Sequence, residues 1–291
     1  MTDTITQLGH LFLYTLPIQG GIIAFFLTIE RFIPAGPHKS VGGLMLNLKI
    51  MILSSIASTL GAGALEAITA AAGGFLGLGW IDLGFSTGQS AVDVVLGMLL
   101  FMLVYDFFFY WFHRFQHEIN LFWQEHKLHH MDEQLNVTST ARHNWFEGLL
   151  EGLLILLPMT IVFKLNSEEG AIVGSIIGNL SVAYNFFIHS NLKIRYGAAS
   201  ILFGGPQYHR IHHSRLPEHH DKNYAASFPI WDWLFGTYYH PGREEFPPTG
   251  VHDEKDVGTL AEAAILPIKA WWKMFRAWGR HGADGHGSQS R

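Results

Sequence analysis

The chain has 291 residues, 48% of them apolar and only 15% charged, with a mean hydropathy of +0.18 and a net charge of −5. That balance argues against two soluble domains of ordinary length, and the negative charge gives no sign of nucleic-acid binding. There is no cysteine, which excludes disulfides, a thiolate-ligated haem and a cysteine-held iron–sulfur cluster.

The apolar residues lie in blocks. Leu11–Ile33, Leu44–Ala64 and Ala91–Phe112 each carry at most two or three charges, and Leu149–Phe163 and Ala171–Ile188 are poor in charge as well. About 20 apolar residues cross a bilayer core, so five stretches are expected to be membrane-embedded helices. Gly73–Trp80 reads as a re-entrant or interfacial piece, with turns at Pro34–Pro37, Gly84–Gly88 and Asn166–Gly170. The N-terminus lacks the basic region of a cleaved signal peptide. With Met1 outside, the outer segments 1–10, 66–90 and 164–170 hold only Lys164 of the 19 Lys and Arg. The positive-inside rule then puts every polar histidine-rich stretch on the cytoplasmic face, the inner membrane face in a bacterium.

Three histidine clusters follow the third block: His113-x-x-x-His117, His126-x-x-His129-His130 and His209-x-x-His212-His213. Roughly 0.07 matches to His-x-x-His-His are expected by chance at this histidine content, so two matches are a signal. Residues three and four apart share a helix face, and neutral imidazole is a common metal ligand. These eight histidines are too many for one ion and suit two. His189 ends the fifth block at the same membrane level and is a further candidate ligand. His143 is another, whereas His219 and His220 sit in a loop after Pro217. Asp106, two turns before His113, would be costly facing lipid and is expected to orient a ligand imidazole. Gly170, Gly174 and Gly178 give a smooth helix face, read as packing inside the bundle. Residues 259–278 carry Trp271, Trp272, Phe275 and Trp278 among basic residues and read as an interfacial helix. Residues 280–291 read as a disordered tail.

These stretches resemble the fatty acid hydroxylase/sterol desaturase superfamily of integral-membrane di-iron enzymes. The resemblance rests on Asp106–His117 (DFFFYWFHRFQH), His126–His130 (HKLHH), Thr140–Glu147 (TARHNWFE) and Tyr208–Tyr238, and covers about half the chain. The family's pattern often has Pro where this chain has Asn144. The resemblance implies an all-α integral membrane protein, with about four to five embedded helices capped by a cytoplasmic helical dimetal domain. It implies that His113, His117, His126, His129, His130, His209, His212 and His213 hold two irons, with zinc an acceptable occupant after purification, and that His189 and His143 join them. Three regions are expected: membrane helices over 1–112, a histidine-box region over 113–258 with a membrane hairpin at about 146–188, and a C-terminal helix and tail over 259–291.

The expected reaction is O2-dependent hydroxylation or desaturation of a lipid, sterol or fatty-acyl, at an unactivated C–H bond. With no flavin, thiolate or nucleotide motif, electrons come from an external donor protein. Phe107, Phe108, Phe109, Trp111 and Phe112 are candidates to line the lipid's path. Arg142, Glu147, Asp221, Asn223, Tyr224, Trp231 and Asp232 are candidates to shape the surroundings of the metals, and no residue is assigned a proton-transfer role. The alternative is a membrane-embedded zinc hydrolase using the same histidines, since zinc has no redox chemistry.

Overall fold

The computed structural model describes residues 2–77, 79–82, 90–164 and 168–284. Helices dominate, and the described residues form no β-strand beyond isolated bridges. α1 (Thr2–His10) continues through a π-helical turn, Leu11–Thr15, into α2 (Leu16–Glu30). α3 (Val41–Leu76) and α4 (Ala91–Glu118) follow, each opened by a serine whose side chain accepts a backbone N–H, the usual N-cap device. The short α5 (Asn120–His130) turns back beside α4. α6 (Glu147–Glu151) passes through a second π turn, Gly152–Leu156, into α7 (Leu157–Val162), and α8 (Glu168–His189) completes the hairpin. α9 (Pro206–His212), α10 (Ile230–Phe235) and α11 (Leu260–Asp284) lie beyond it.

Both π turns precede a proline, Pro17 and Pro158. A proline ring clashes with the carbonyl four residues back and has no N–H to donate. Widening the preceding turn relieves both faults without ending the helix.

Three helical runs are long and apolar enough to cross a membrane: Thr6–Glu30, Val41–Gly73 and Val92–Glu118. Their apolar side chains face outward, with only 17% of the most apolar α4 window buried, as lipid contact requires and a soluble bundle forbids. This is an integral membrane protein. Of the two other expected embedded stretches, the first is a kinked run of short helices from Glu147 to Val162, and the second is the 22-residue α8.

The second block is longer than its composition suggested. α3 has 36 residues, roughly 54 Å of helix, and takes in the first half of the expected re-entrant piece. Residues 79–82 then run alongside the end of α7. Gly79, Trp80 and Ile81 donate their N–H groups to the carbonyls of Thr160, Ile161 and Val162, satisfying a helix C-terminus that would otherwise lack partners. Gly79 has φ +70°, and a Cβ there would strike the Lys164 backbone, so only glycine fits. The Pro34–Pro37 turn is present. The Gly84–Gly88 turn lies outside the described residues, and the Asn166–Gly170 turn is described only from Glu168, where α8 begins. The glycine face of α8 is not packed as expected: nothing lies within 4 Å of a Cβ position on Gly174 or Gly178, because Gly178 borders a cavity with Tyr105 and Glu151.

α11 extends to Asp284, further than the sequence suggested; residues 285–291 of the expected tail lie outside the described residues. Its inner face packs on Ile50 and Leu128 through Ala263, and the Trp271 indole donates to the Leu121 carbonyl at 2.8 Å. Trp272, Phe275 and Trp278 face outward.

Polar residues tie the helix ends together. The buried Glu30 carboxylate accepts N–H bonds from Val137 and Asn191, both at 2.8 Å, joining α2 to the exit of α8. Arg142 is fully buried; it donates to the Leu128 carbonyl and to Asn47, and pairs with Asp256. Burial would raise the Asp132 carboxyl, but Lys39 and Arg142 outweigh it and bring it down to about 2.

α3 and α6 approach closely because Gly148 and Gly152 carry no side chain; a Cβ on Gly152 would run into Leu65. Gly152→Val is expected to destabilise the chain by about 1–3 kcal/mol through overpacking. A lowered melting temperature in detergent checks this, and an unchanged one contradicts the close approach.

Candidate metal centre

Four helices deliver the histidines. α4 outruns a 30 Å hydrocarbon core, since its 28 residues span roughly 42 Å, and its last turns carry His113 and His117. α5 supplies His126, His129 and His130, α8 ends on His189, and α9 supplies His209 and His212, with His213 as its C-cap. The side chains sort into two groups of mutually close nitrogens. The first is His113, His117, His126, His130 and His212; the second is His129, His189, His209 and His213. The rings of His130 and His213 stack at 4.3 Å and link the groups.

The nitrogens point at one another. In the first group, Nε2 of His113 lies 3.1 Å from Nε2 of His126, with the same separation from His126 to His130 and from His130 to His117. In the second, Nε2 of His189 lies 3.0 Å from that of His129 and 2.9 Å from that of His209. Three rings have their proton fixed on the far nitrogen. Nδ1 of His113 donates to the Tyr224 carbonyl at 2.7 Å, Nδ1 of His189 to the Asn185 carbonyl at 2.8 Å, and Nδ1 of His212 to the Lys222 carbonyl at 2.9 Å. A carbonyl only accepts, so each neutral ring presents a bare Nε2 lone pair inward. Nε2 of His212 is buried with no hydrogen-bond partner.

Burial first, and then the neighbouring imidazoles, hold His129, His130 and His213 well below the usual 6.5, so these rings are neutral. Converging lone pairs in a dry site repel and leave polar atoms unsatisfied. A cation in each group removes both faults, and the all-nitrogen donor set suits a first-row transition metal. The residues present therefore fit metal ions.

His143 falls outside both groups. It forms a smaller cluster with His126 and Glu147, and its ring stacks on His129 at 4.4 Å. Its Nδ1 donates to Glu147 at 2.6 Å. Burial would lower its pKa, but the Glu147 carboxylate outweighs this and brings it to about 9. Glu147 also lies 3.6 Å from Nδ1 of His126 and accepts from Gln116 at 3.1 Å. His219 is used structurally, between Ser214 and Glu245, and His220 joins neither group.

Asp106 touches no imidazole, contrary to the expectation from its spacing. Its two oxygens accept the N–H groups of Ser227 and Phe228 at 3.0 and 2.8 Å. Unpaired backbone donors in that loop, invisible in sequence, compete for the carboxylate and win. Asp232 supports the centre indirectly, through the backbone. It accepts from the backbone N–H of Tyr224 and Ala225, from Thr237 and from the Tyr208 hydroxyl. It thereby fixes the Tyr224 carbonyl that orients His113. Asn223 and Asp221, both at positive φ, shape the same loop. Gln116 and Glu125 escaped the sequence reading, although each directly precedes a cluster histidine; Gln116 donates to Glu125 at 3.0 Å.

Two cavities reach the centre. One, of roughly 590 Å³, opens between α1, α2, α3, α4, α6 and α8, and ends on His113, His126, His129, His189 and His209. Of the five candidate aromatic residues, Phe109 and Phe112 line it. Phe107 and Trp111 instead pack on α10, against Trp231 and Phe235, and Phe108 joins the core around Phe101. The other cavity, of roughly 330 Å³, reaches His117, His130 and His212 from the opposite side, past Trp123 and Asp221.

Residues 98–237 match the family model described as fatty acid hydroxylase. This segment belongs to the fatty acid hydroxylase/sterol desaturase superfamily. It is similar to alkylglycerol monooxygenase of Xenopus tropicalis, with 33% identity over 46% of this chain and 28% of that protein. It is also similar to an ornithine lipid hydroxylase of Rhizobium tropici, 30% identical over 60% of this chain and 50% of that protein. Methylsterol monooxygenase 2-2 of Arabidopsis thaliana is 28% identical over 50% of this chain and 53% of that protein. The chain thus spans between about a quarter and a half of the length of these relatives. No solved structure matches the chain.

Asp232→Asn keeps the size but gives one oxygen's place to an NH2 group that faces donors. It is expected to weaken metal retention roughly 10–100-fold, the usual effect of losing a ligand's supporting bond. Metal content after dialysis against graded chelator measures this; wild-type retention would contradict the Asp232–Tyr224–His113 linkage.

Proposed function

We propose that this chain is a membrane oxygenase that uses O2 to hydroxylate or desaturate a lipid at an unactivated C–H bond. Two irons are held by His113, His117, His126, His130 and His212 on one side, and by His129, His189, His209 and His213 on the other. The observation that carries the reading is the larger cavity, which leads from membrane-embedded helices directly onto both histidine groups. Bound iron would supply the O2-binding and one-electron chemistry that zinc lacks. The relatives named above are monooxygenases and a hydroxylase, which favours oxygen chemistry over hydrolysis.

The chain's own residues hold and orient. Backbone carbonyls of Tyr224, Asn185 and Lys222 fix three imidazoles in the tautomer that turns Nε2 inward. Glu147 holds His143 and steadies His126; His143 is thus a positioning residue on the cavity wall. Phe109 and Phe112 keep the lipid's path apolar close to the centre. O2-dependent hydroxylation or desaturation consumes two electrons that the substrate does not supply, and these reducing equivalents come from an external donor protein. The smaller cavity, on the side away from the lipid path, suits its approach. In this reading residues 1–112 anchor, 113–258 hold the metals around the 146–188 hairpin, and the helix over 259–278 lies along the cytoplasmic interface.

Iron-loaded enzyme given reductant and 18O2 is expected to yield a lipid carrying labelled oxygen, or one lacking two hydrogens. His212→Ala and His209→Ala should each lower the rate more than about 100-fold, while His240→Ala, outside both groups, retains it. Product formed equally well without O2 would contradict the proposal.

Sidedness is tested in this cysteine-free chain by Trp80→Cys and Glu218→Cys, both at exposed positions. An impermeant thiol reagent should label the first on intact cells and the second only after permeabilisation. Labelling of both from one side contradicts the cytoplasmic placement.

A further inference from the structure

The larger cavity is more polar than a path for a plain hydrocarbon chain requires. About a third of its wall comes from α1–α3 and the π turn joining α1 to α2, outside the segment 98–237. There Ser55, Ser58 and Thr59 lie at helical spacing on one face of α3 and turn toward the cavity. Hydroxyls alone carry little weight, since such groups can bond back to their own helix, as Thr59 does to the Ser55 carbonyl.

Asn144 is different. It is only 2% exposed and lines the cavity, yet neither Oδ1 nor Nδ2 has a hydrogen-bond partner. Gln19 of α2 lines the same cavity, and its Oε1 is likewise buried and unpartnered. A buried amide left without bonds is destabilising, and buried polar groups in folded proteins are nearly always paired. The unpaired Asn144 amide and the unpaired Gln19 oxygen border one cavity and point to a ligand that pairs them.

The chemistry of that ligand follows from the amide. Asn144 offers both a donor and an acceptor. Its complement accepts and donates together, as a hydroxyl or an amide N–H and C=O does. An ester or ether oxygen meets only the donor half, and a methylene meets neither. Asn144 adjoins His143, whose ring stacks on His129 of the second histidine group.

We propose that Asn144 and Gln19, with the hydroxyl face of α3, form a recognition subsite for a lipid bearing a hydroxyl or amide group. The subsite holds that neutral polar group in the cavity beside the metal centre. This deepens the lipid-oxygenase reading and rests on it for the cavity's role as the substrate site.

The test is equilibrium binding to the purified full-length chain in nanodiscs, with its metals but without reductant, so that no turnover occurs. The probes are tritiated N-octadecanoylethanolamine, which carries an amide and a hydroxyl, and methyl octadecanoate, with the same acyl chain and no donor. The wild-type chain is expected to prefer the amide at least about 10-fold, the size of one satisfied buried polar group. Asn144→Leu should reduce the preference below about 3-fold while its melting temperature holds or rises, because an unpaired amide has been replaced by an apolar group of similar size. Gln19→Leu, on a separate helix, provides a second, independent reduction. Equal binding of the two probes by wild type, or full preference retained in both variants, overturns the subsite. A chain that shows the preference but inserts no oxygen under turnover conditions overturns the oxygenase reading and leaves the subsite standing.

Discussion

Nine neutral imidazoles with their nitrogens turned inward form the constraint that organises this molecule. Neutral rings can be buried at modest cost, but several inward nitrogens converging at about 3 Å cannot all be satisfied by one another. A cation between the rings of each group would satisfy the inward nitrogens together. The fold does two things toward this: it brings four helix ends to one level, and it fixes the proton of three rings on the outer nitrogen. The backbone carbonyls of Tyr224, Asn185 and Lys222 perform the second task for His113, His189 and His212. The first is performed by buried polar ties such as Glu30, which links the exit of α8 to the turn after α5.

The loop between α9 and α11 gains its role from the same constraint. It contributes no metal-directed side chain of its own, yet Asp232 gathers two backbone N–H groups and two hydroxyls to hold Tyr224 in place. Asp106 pins the far end of that loop to α4. A carboxylate within an apolar helix and a carboxylate on the short α10 thus support one imidazole, neither by touching it. The membrane enters through α4, whose length carries His113 and His117 past the hydrocarbon core and leaves the larger cavity opening among the embedded helices.

Much of this was legible in sequence because it rests on side-chain spacing. His113 and His117, His126 to His130 and His209 to His213 are periodic, and periodicity survives without coordinates. The apolar blocks and the all-helical class follow from composition in the same way. What escaped has physical reasons. Backbone carbonyls have no sequence signature, so the partners of His113, His189 and His212 could not be named. Asp106 has the right spacing to reach an imidazole but meets two unpaired N–H groups first. The length of α3 was underestimated because Gly73 and its neighbours resemble a turn, whereas the helix runs on until Gly77 takes a positive φ. The glycine face of α8 has packing residues but borders a cavity, a property of the assembled helices and not of any one of them.

The central claim is that the two histidine groups each hold an iron through nitrogen alone. Iron-edge X-ray absorption on the ferrous-loaded, full-length chain, with iron counted per polypeptide, tests this most directly. The account predicts two irons per chain, a first shell of nitrogen with the outer-shell scattering of several imidazoles, and no sulfur. One iron per chain, or a shell dominated by oxygen without the imidazole pattern, would contradict it.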